Sequence, residues 1–175
     1  MEFAHVRLTV NRGAGVGGVI RGVGDRWGLF VPQIGDTSDS LVLITAADGV
    51  PQGVDARVHA VDRIVATVRP TTTGPLAADD GVYAHRWFDI DPADWEEFLA
   101  LSEGAWPGFE GANPGVRIHG FFRSGDDRVL LVTRYPSLAA WETSRNASDD
   151  AGGANFRRRH QLTRSTIVRT YRLIA

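Results

Sequence analysis

The chain is written twice. Phe3-Ala4-His5 returns as Tyr83-Ala84-His85, Val42-Leu43-Ile44-Thr45 as Leu130-Leu131-Val132-Thr133, and the segment 64–69 as 167–172. The offsets grow from 80 to 88 to 103 residues, so the second copy is the longer. A repeated unit of this length is one supersecondary motif used twice, and it must bury its apolar face against its own duplicate or another chain. Units of roughly 70 and 95 residues are each too small to be very stable alone, so mutual packing is expected.

Charge and residue usage exclude several chemistries. The 175 residues carry a net charge of −2, which gives no electrostatic reason to expect nucleic acid or an anionic membrane as partner. No apolar run reaches the roughly 18 to 20 residues that span a bilayer. The chain opens directly on an alternating segment, so a signal peptide is not expected and a cytoplasmic location is the default. Cysteine is absent, which removes thiol nucleophiles, disulfides and thiolate metal sites. All 19 basic residues are arginine, which removes a lysine Schiff base and a P-loop lysine.

The periodicity reads as β-α-β-β-α-β, twice. In residues 3–10, Ala4, Val6, Leu8 and Val10 face one way and His5, Arg7 and Thr9 the other, the mark of a sheet with one face on a core. A glycine-rich stretch, 13–24, suits a poor helix carrying Val16, Val19, Ile20 and Val23. Strands are expected over 27–34 and 41–47, joined by a turn at 35–39. A short helix is expected over 54–61, then a strand over 63–70 and a Pro/Thr/Gly linker. In the second copy, residues 82–90 open as a strand. Asp91-Pro92-Ala93-Asp94 starts a helix, with an Asp cap and Pro in the first turn. Strands over 116–123 and 129–135 follow, then a helix from 137 to about 144, broken at 149–153 and resumed over 155–162. Residues 166–174 close the chain as a strand.

Each such unit puts two helices on one face of a four-stranded antiparallel sheet and leaves the other face bare. Two bare faces brought together make a barrel. The expectation is therefore an α+β fold of tandem ferredoxin-like units, 1–70 and 81–175, joined by a linker at 71–80. An internal pseudo-dimer is favoured, with homodimerisation as a further possibility.

The segments 97–107, EFLALSEGAWP, and 134–142, RYPSLAAWE, resemble the NIPSNAP family of the dimeric α/β-barrel superfamily. The resemblance covers residues 81–175, while the first unit matches in architecture only. It implies a ferredoxin-like tandem barrel and a family without one general activity. The superfamily includes cofactor-free monooxygenases, haem-degrading enzymes, dye peroxidases and isomerases, and fold alone transfers none of these.

Alternation then selects the side chains facing the barrel interior. With Val82, Ala84, Phe88 and Ile90 beneath helices, Tyr83, His85, Trp87 and Asp89 point inward. The same parity places Arg117, His119, Phe121 and Arg123 inside and Val116, Ile118 and Phe122 under the helices. His5 and Arg7 line the opposite wall. His85 and His119 are the candidate general bases, and His5, Arg7, Tyr83, Trp87, Arg117 and Phe121 the candidate ligand contacts. A solvated or interface role is the plain alternative for all of them.

Other signals carry less. Gly13-Ala14-Gly15-Val16-Gly17-Gly18 matches G-x-G-x-x-G, but a hairpin follows where a dinucleotide fold needs a parallel strand. Arg157-Arg158-Arg159-His160 reads as a solvated helix face or, less often, an anion site. The histidines lack ligand spacing, so no metal site is expected. Three functions stay open: a small hydrophobic or carboxylate-bearing metabolite handled by a cofactor-free monooxygenase or isomerase, haem binding or degradation, and a non-catalytic interaction module. No cofactor is expected on the first reading.

Overall fold

The computed structural model describes residues 1–13, 15–24, 26–49, 51, 54–145 and 153–174. The first unit runs β1 (Glu2–Val10), α1 (Val16–Gly22), β2 (Gly28–Ile34), β3 (Ser40–Ala46) and β4 (Ala56–Ala66). The second runs β5 (Val82–Ile90), a 3₁₀ turn (Pro92–Asp94), α2 (Trp95–Ala112), β6 (Arg117–Ser124), β7 (Arg128–Tyr135), α3 (Leu138–Arg145), α4 (Gly153–Gln161) and β8 (Thr163–Ile174).

All eight strands join in one closed antiparallel barrel in the order β1-β3-β2-β8-β5-β7-β6-β4. Each unit keeps the ferredoxin-like order, β4-β1-β3-β2 in one and β8-β5-β7-β6 in the other. The two seams are β2–β8, from Leu29 opposite Ile174, and β4–β6, at Val65 opposite Arg123 and Ala66 opposite Phe122. Closure leaves no sheet edge to template aggregation.

Alternation gives every strand an inner and an outer face. Phe3, Phe30, Ile44, Tyr83, Trp87, Phe122 and Tyr171 fill the barrel. Outside, Val19 and Val23 of the α1 region cover Val6, Leu8 and Leu43. Phe98 and Trp106 of α2 cover Phe88 and Phe121. The start of α2 is fixed as its sequence suggests: the Asp91 carboxylate accepts the Ala93 N–H at 2.9 Å, with Pro92 in the first turn. Burying a side chain such as Phe98, fully enclosed here, contributes on the order of 1.5–3 kcal/mol.

Three expectations need correction. Residues 54–61 do not form a helix: β4 starts at Ala56 and pairs with β1 from Val10 opposite Ala56 to Glu2 opposite Val65. Val58, Val61, Ile64 and Val65 are β-branched, and the ladder satisfies backbone groups that an uncapped two-turn helix would leave open. Among its described residues the first unit thus has no second helix, and Val61 and Val65 lie 41% and 45% exposed on a bare outer face.

The last repeat anchor is also displaced. Phe3 pairs with Ile64 and Tyr83 with Tyr171, so Ile64 corresponds to Tyr171, four residues beyond the Ile167 that sequence similarity selects. An even slip leaves every side chain on its original face, which is why the parity argument survives it.

Finally, Phe121 does not face the barrel interior. A bulge between Ile118 and Gly120 inverts the parity of β6, so Phe121 stacks beneath α2 on Trp95 and Phe98 and Phe122 enters the barrel instead. The Phe122 ring lies across Gly120 where any Cβ would collide with it. The first unit does the same: a Cβ on Gly28 would sit 2.6 Å from the Phe30 ring. Gly28 and Gly120 pair with Ile44 and Val132, so Gly-x-Phe is a further anchor of the repeat.

The expected break at 149–153 lies, for residues 149–152, outside the described residues. Ser137 caps α3, its hydroxyl accepting the Ala140 N–H at 3.1 Å.

Candidate functional site

Two cavities bear on the candidate residues and lie on opposite faces of the sheet; a third, more open hollow of about 830 Å³ lies in the first unit beside Thr9, Val16, Asp39 and Arg57. The first is a recess of about 150 Å³ at one mouth of the barrel, lined by His5, Arg7, Asp62, His85, Trp87, Arg128, Ile167, Arg169 and Tyr171. The equivalent residues His5 and His85 meet here, their ring centroids 5.9 Å apart. His85 packs against Phe30 at 4.5 Å and Tyr171 at 4.6 Å, and Trp87 stands edge-on to His5 at 5.2 Å. Burial pushes His85 well below the ordinary imidazole range, and the neighbouring His5 adds to the effect. Burial lowers His5 too, against the opposing pull of Asp62. The His85 ring is therefore neutral at pH 7.

Asp62 lies 3.7 Å from His5 Nδ1, an ion-pair distance too long for a hydrogen bond. His5, Arg128 and Arg7 together hold the Asp62 carboxyl below its usual range. Arg128 donates to Asp62 Oδ1 at 3.2 Å, approaches Asp89 at 3.6 Å and lies 4.4 Å over the Trp87 ring. Neither nitrogen of His85 has a hydrogen-bond partner.

The opposite end of the barrel is closed. Leu76, from the segment between β4 and β5, donates its N–H to Trp27 O at 2.8 Å and packs against the interior cluster. Tyr83 donates its hydroxyl to Asp79 at 3.1 Å, and His119 stacks on Tyr83 at 5.9 Å. Burial lowers the His119 imidazole as well.

The structure therefore gathers His5, Arg7, His85 and Trp87 at the recess. It puts Tyr83 and His119 at the plugged end, leaves Arg117 exposed with its guanidinium on Val116 O at 3.1 Å, and puts Phe121 under α2. Aromatic rings fill most of the barrel, so the interior pocket expected from the sequence is reduced to the recess at its mouth. Sequence reasoning missed Asp62, which falls between the helix and strand expected there, Arg128, which precedes the strand expected from 129, and Arg169, whose partner strand was not assigned.

The other cavity of this pair, about 380 Å³, lies outside the barrel between the second unit's sheet and its helices. Strand residues Ala84, Arg86, Phe88, Leu131 and Tyr135 form its floor, and Trp106, Phe109, Arg145, Phe156 and Arg159 its roof. Arg159 is only 9% exposed and stacks over Phe156 at 4.9 Å, Phe88 at 5.0 Å and Phe98 at 5.6 Å. Among the described residues its one hydrogen bond is to Ser102 Oγ at 3.4 Å. Burial pushes its pKa down to about 10, with the charge of Arg86 contributing. Burial likewise lowers Arg86, and Arg145 adds like-charge repulsion. Among the described residues neither Arg86 nor Arg159 has a carboxylate partner. The buried Trp106 N–H also lacks an acceptor.

The sequence held two signals for this pocket. Arg86 interrupts an otherwise apolar face, Val82-Ala84-Phe88-Ile90. The basic run 157–160 divides: Arg159 turns inward, while Arg158 is a surface partner of Glu97 at 2.6 Å. Among the described residues, no cluster of three His, Asp or Glu side chains could hold a metal, and no helix is long and apolar enough to cross a membrane.

No protein-family model and no curated protein matches the chain. Solved structures do. A monooxygenase candidate from Fusobacterium nucleatum subsp. nucleatum aligns over 99% of this chain and 93% of its own, with 9% identity and a TM-score of 0.66. A ferredoxin-fold protein from Listeria monocytogenes, described as related to antibiotic biosynthesis monooxygenases, aligns over 100% and 95%, with 10% identity and a TM-score of 0.62. The fold is thus a duplicated ferredoxin-like one, with both halves in one chain closing a single barrel. The neighbours also include a NIPSNAP family protein from Agrobacterium tumefaciens, aligned over 57% of this chain and 90% of its own at 20% identity and a TM-score of 0.47.

Proposed function

We propose that this protein binds a small, largely apolar molecule bearing a carboxylate in the pocket between the second unit's sheet and helices. The observation that carries the reading is the pair of guanidiniums, Arg86 and Arg159, which have no carboxylate partner among the described residues and lie in a space with aromatic walls. A buried cation without a counter-charge is costly, and a ligand carboxylate would offset that cost with charge-assisted, bidentate hydrogen bonds. A volume of about 380 Å³ lies within the range of small-molecule sites. The ligand class is the one expected from the sequence; the pocket is a different one.

Calorimetry with a panel of aromatic carboxylates and their neutral amides tests this. The acids should bind 1:1, and Arg159→Met should weaken them by tenfold or more, about 1.4 kcal/mol. Equal binding of acid and amide would overturn the reading.

The neighbours' names bring a second reading, cofactor-free oxygenation or isomerisation of the bound molecule. His5 and His85 lie on the other face of the sheet, so proton transfer would fall to His160 or Tyr135 on the pocket wall. Oxygen uptake or isomer formation by the wild type, lost in His160→Ala or Tyr135→Phe, would support it. Haem fits neither cavity. The outer pocket's one lining histidine, His160, is exposed on α4, and the recess that holds two buried imidazoles is too small for a porphyrin.

A further inference from the structure

We propose that the open mouth of the barrel is a second, independent site that takes a small oxyanion, such as formate or an inorganic anion of similar size, between the paired histidines and three arginines. Arg7, Arg128 and Arg169 line this recess, and Asp62 is the one carboxylate on its wall. Asp62 is engaged by Arg128, which also approaches Asp89. Arg169 spends its Nε on Gly35 O at 3.0 Å, and Arg7 makes no hydrogen bond or ion pair among the described residues. Asp89 at the rim and Asp36, which accepts from the Tyr171 hydroxyl, balance the three arginines in formal charge, so what the mouth offers an anion is hydrogen-bond donors left unpaired, those of Arg7 above all.

A second observation is independent of charge. His85 is 1% exposed, lines the recess, and has both ring nitrogens unpartnered. A buried polar group in that state calls for a partner supplied from elsewhere. A neutral imidazole presents one N–H donor, which an anion in the recess would accept. The volume of about 150 Å³ falls below the range of drug-sized pockets and suits a molecule of a few heavy atoms. With Leu76 and Tyr83 closing the far end, the site has a single entrance. The closed sheet separates it from the pocket of Arg86 and Arg159, so either site can exist without the other.

The test is a titration of the full-length, ¹⁵N-labelled protein with sodium formate at constant ionic strength, with sodium chloride as control, read on the histidine ring nitrogens. Formate should shift the His85 and His5 signals saturably, at millimolar concentration, and leave the exposed His59, remote from both cavities, unmoved. Arg7→Gln, at an exposed position without bonds to lose, should weaken this binding fivefold or more, whereas Arg159→Met should leave it unchanged. An absence of saturable shifts, equal shifts in chloride, or indifference to Arg7→Gln would each overturn the proposal. None of these results bears on carboxylate binding in the outer pocket.

Discussion

The two halves share a skeleton and differ in what covers it. Both keep the β4-β1-β3-β2 type of sheet, both send an aromatic residue and then a histidine inward from the first strand, and both lay a phenylalanine ring over a glycine on the second. Outside the barrel they part. The second unit carries an 18-residue α2 with α3 and α4 beyond it, and between those helices and the sheet lies the 380 Å³ pocket. The first unit has a seven-residue α1 and continues straight into β4, so the outer face of that strand is bare. An enclosed, aromatic-walled pocket follows the helix layer, because the barrel interior is spent on packing and the first unit's hollow beside Thr9, Asp39 and Arg57 is a more open one.

The comparison can be broken or sharpened experimentally. Phe30→Ala and Phe122→Ala remove equivalent rings from the barrel interior, and each should cost about 3–5 kcal/mol in urea denaturation. A much smaller cost for either would mean that the halves do not share one core. Arg159→Met should go the other way. Its folded-state pKa of about 10 lies below the ordinary 12.5, so the charged form is penalised at neutral pH and the penalty fades as pH rises through 10. The methionine variant should be more stable than the wild type at pH 7 by an amount on the order of 1–3 kcal/mol, while losing ligand affinity. A lower melting temperature would show instead that the guanidinium's stacking on Phe88, Phe98 and Phe156 outweighs its desolvation.

The histidine pair gives a smaller, pH-dependent effect. Both imidazoles are lowered from 6.5, so below that pH the unfolded chain takes up protons that the native state refuses. Stability should be full above about pH 6.5 and fall as the solution is acidified, and His85→Phe should flatten that fall. An unchanged pH profile in the variant would remove His85 from this account. The smallest contrast concerns the outer faces. Val61 and Val168 occupy equivalent positions, but Val61 is 41% exposed whereas Val168 packs near Trp141 and Tyr135. Val61→Ser should change stability by less than about 0.5 kcal/mol, and Val168→Ser should cost about 1 kcal/mol. Equal costs would mean that something covers the first unit's outer face.

The repeat and its alternation determined most of the architecture, since period-two patterning assigns faces whatever the neighbours are. That is why His5, Arg7, His85 and Trp87 were legible as inward-facing residues. Four things waited for tertiary structure. Whether 54–61 became helix or strand was settled by pairing with β1, a long-range ladder that outweighs a weak local preference. The bulge before Gly120 sent Phe121 outward and Phe122 inward, and a one-residue insertion of that kind leaves no mark on hydrophobic pattern. The slip of the last strand brought Asp62 opposite His5 and Arg169 opposite His85. Finally, the burial of Arg86 and Arg159 depends on how α4 settles over the sheet, and only packing decides which arginine of a basic run meets water and which meets the core.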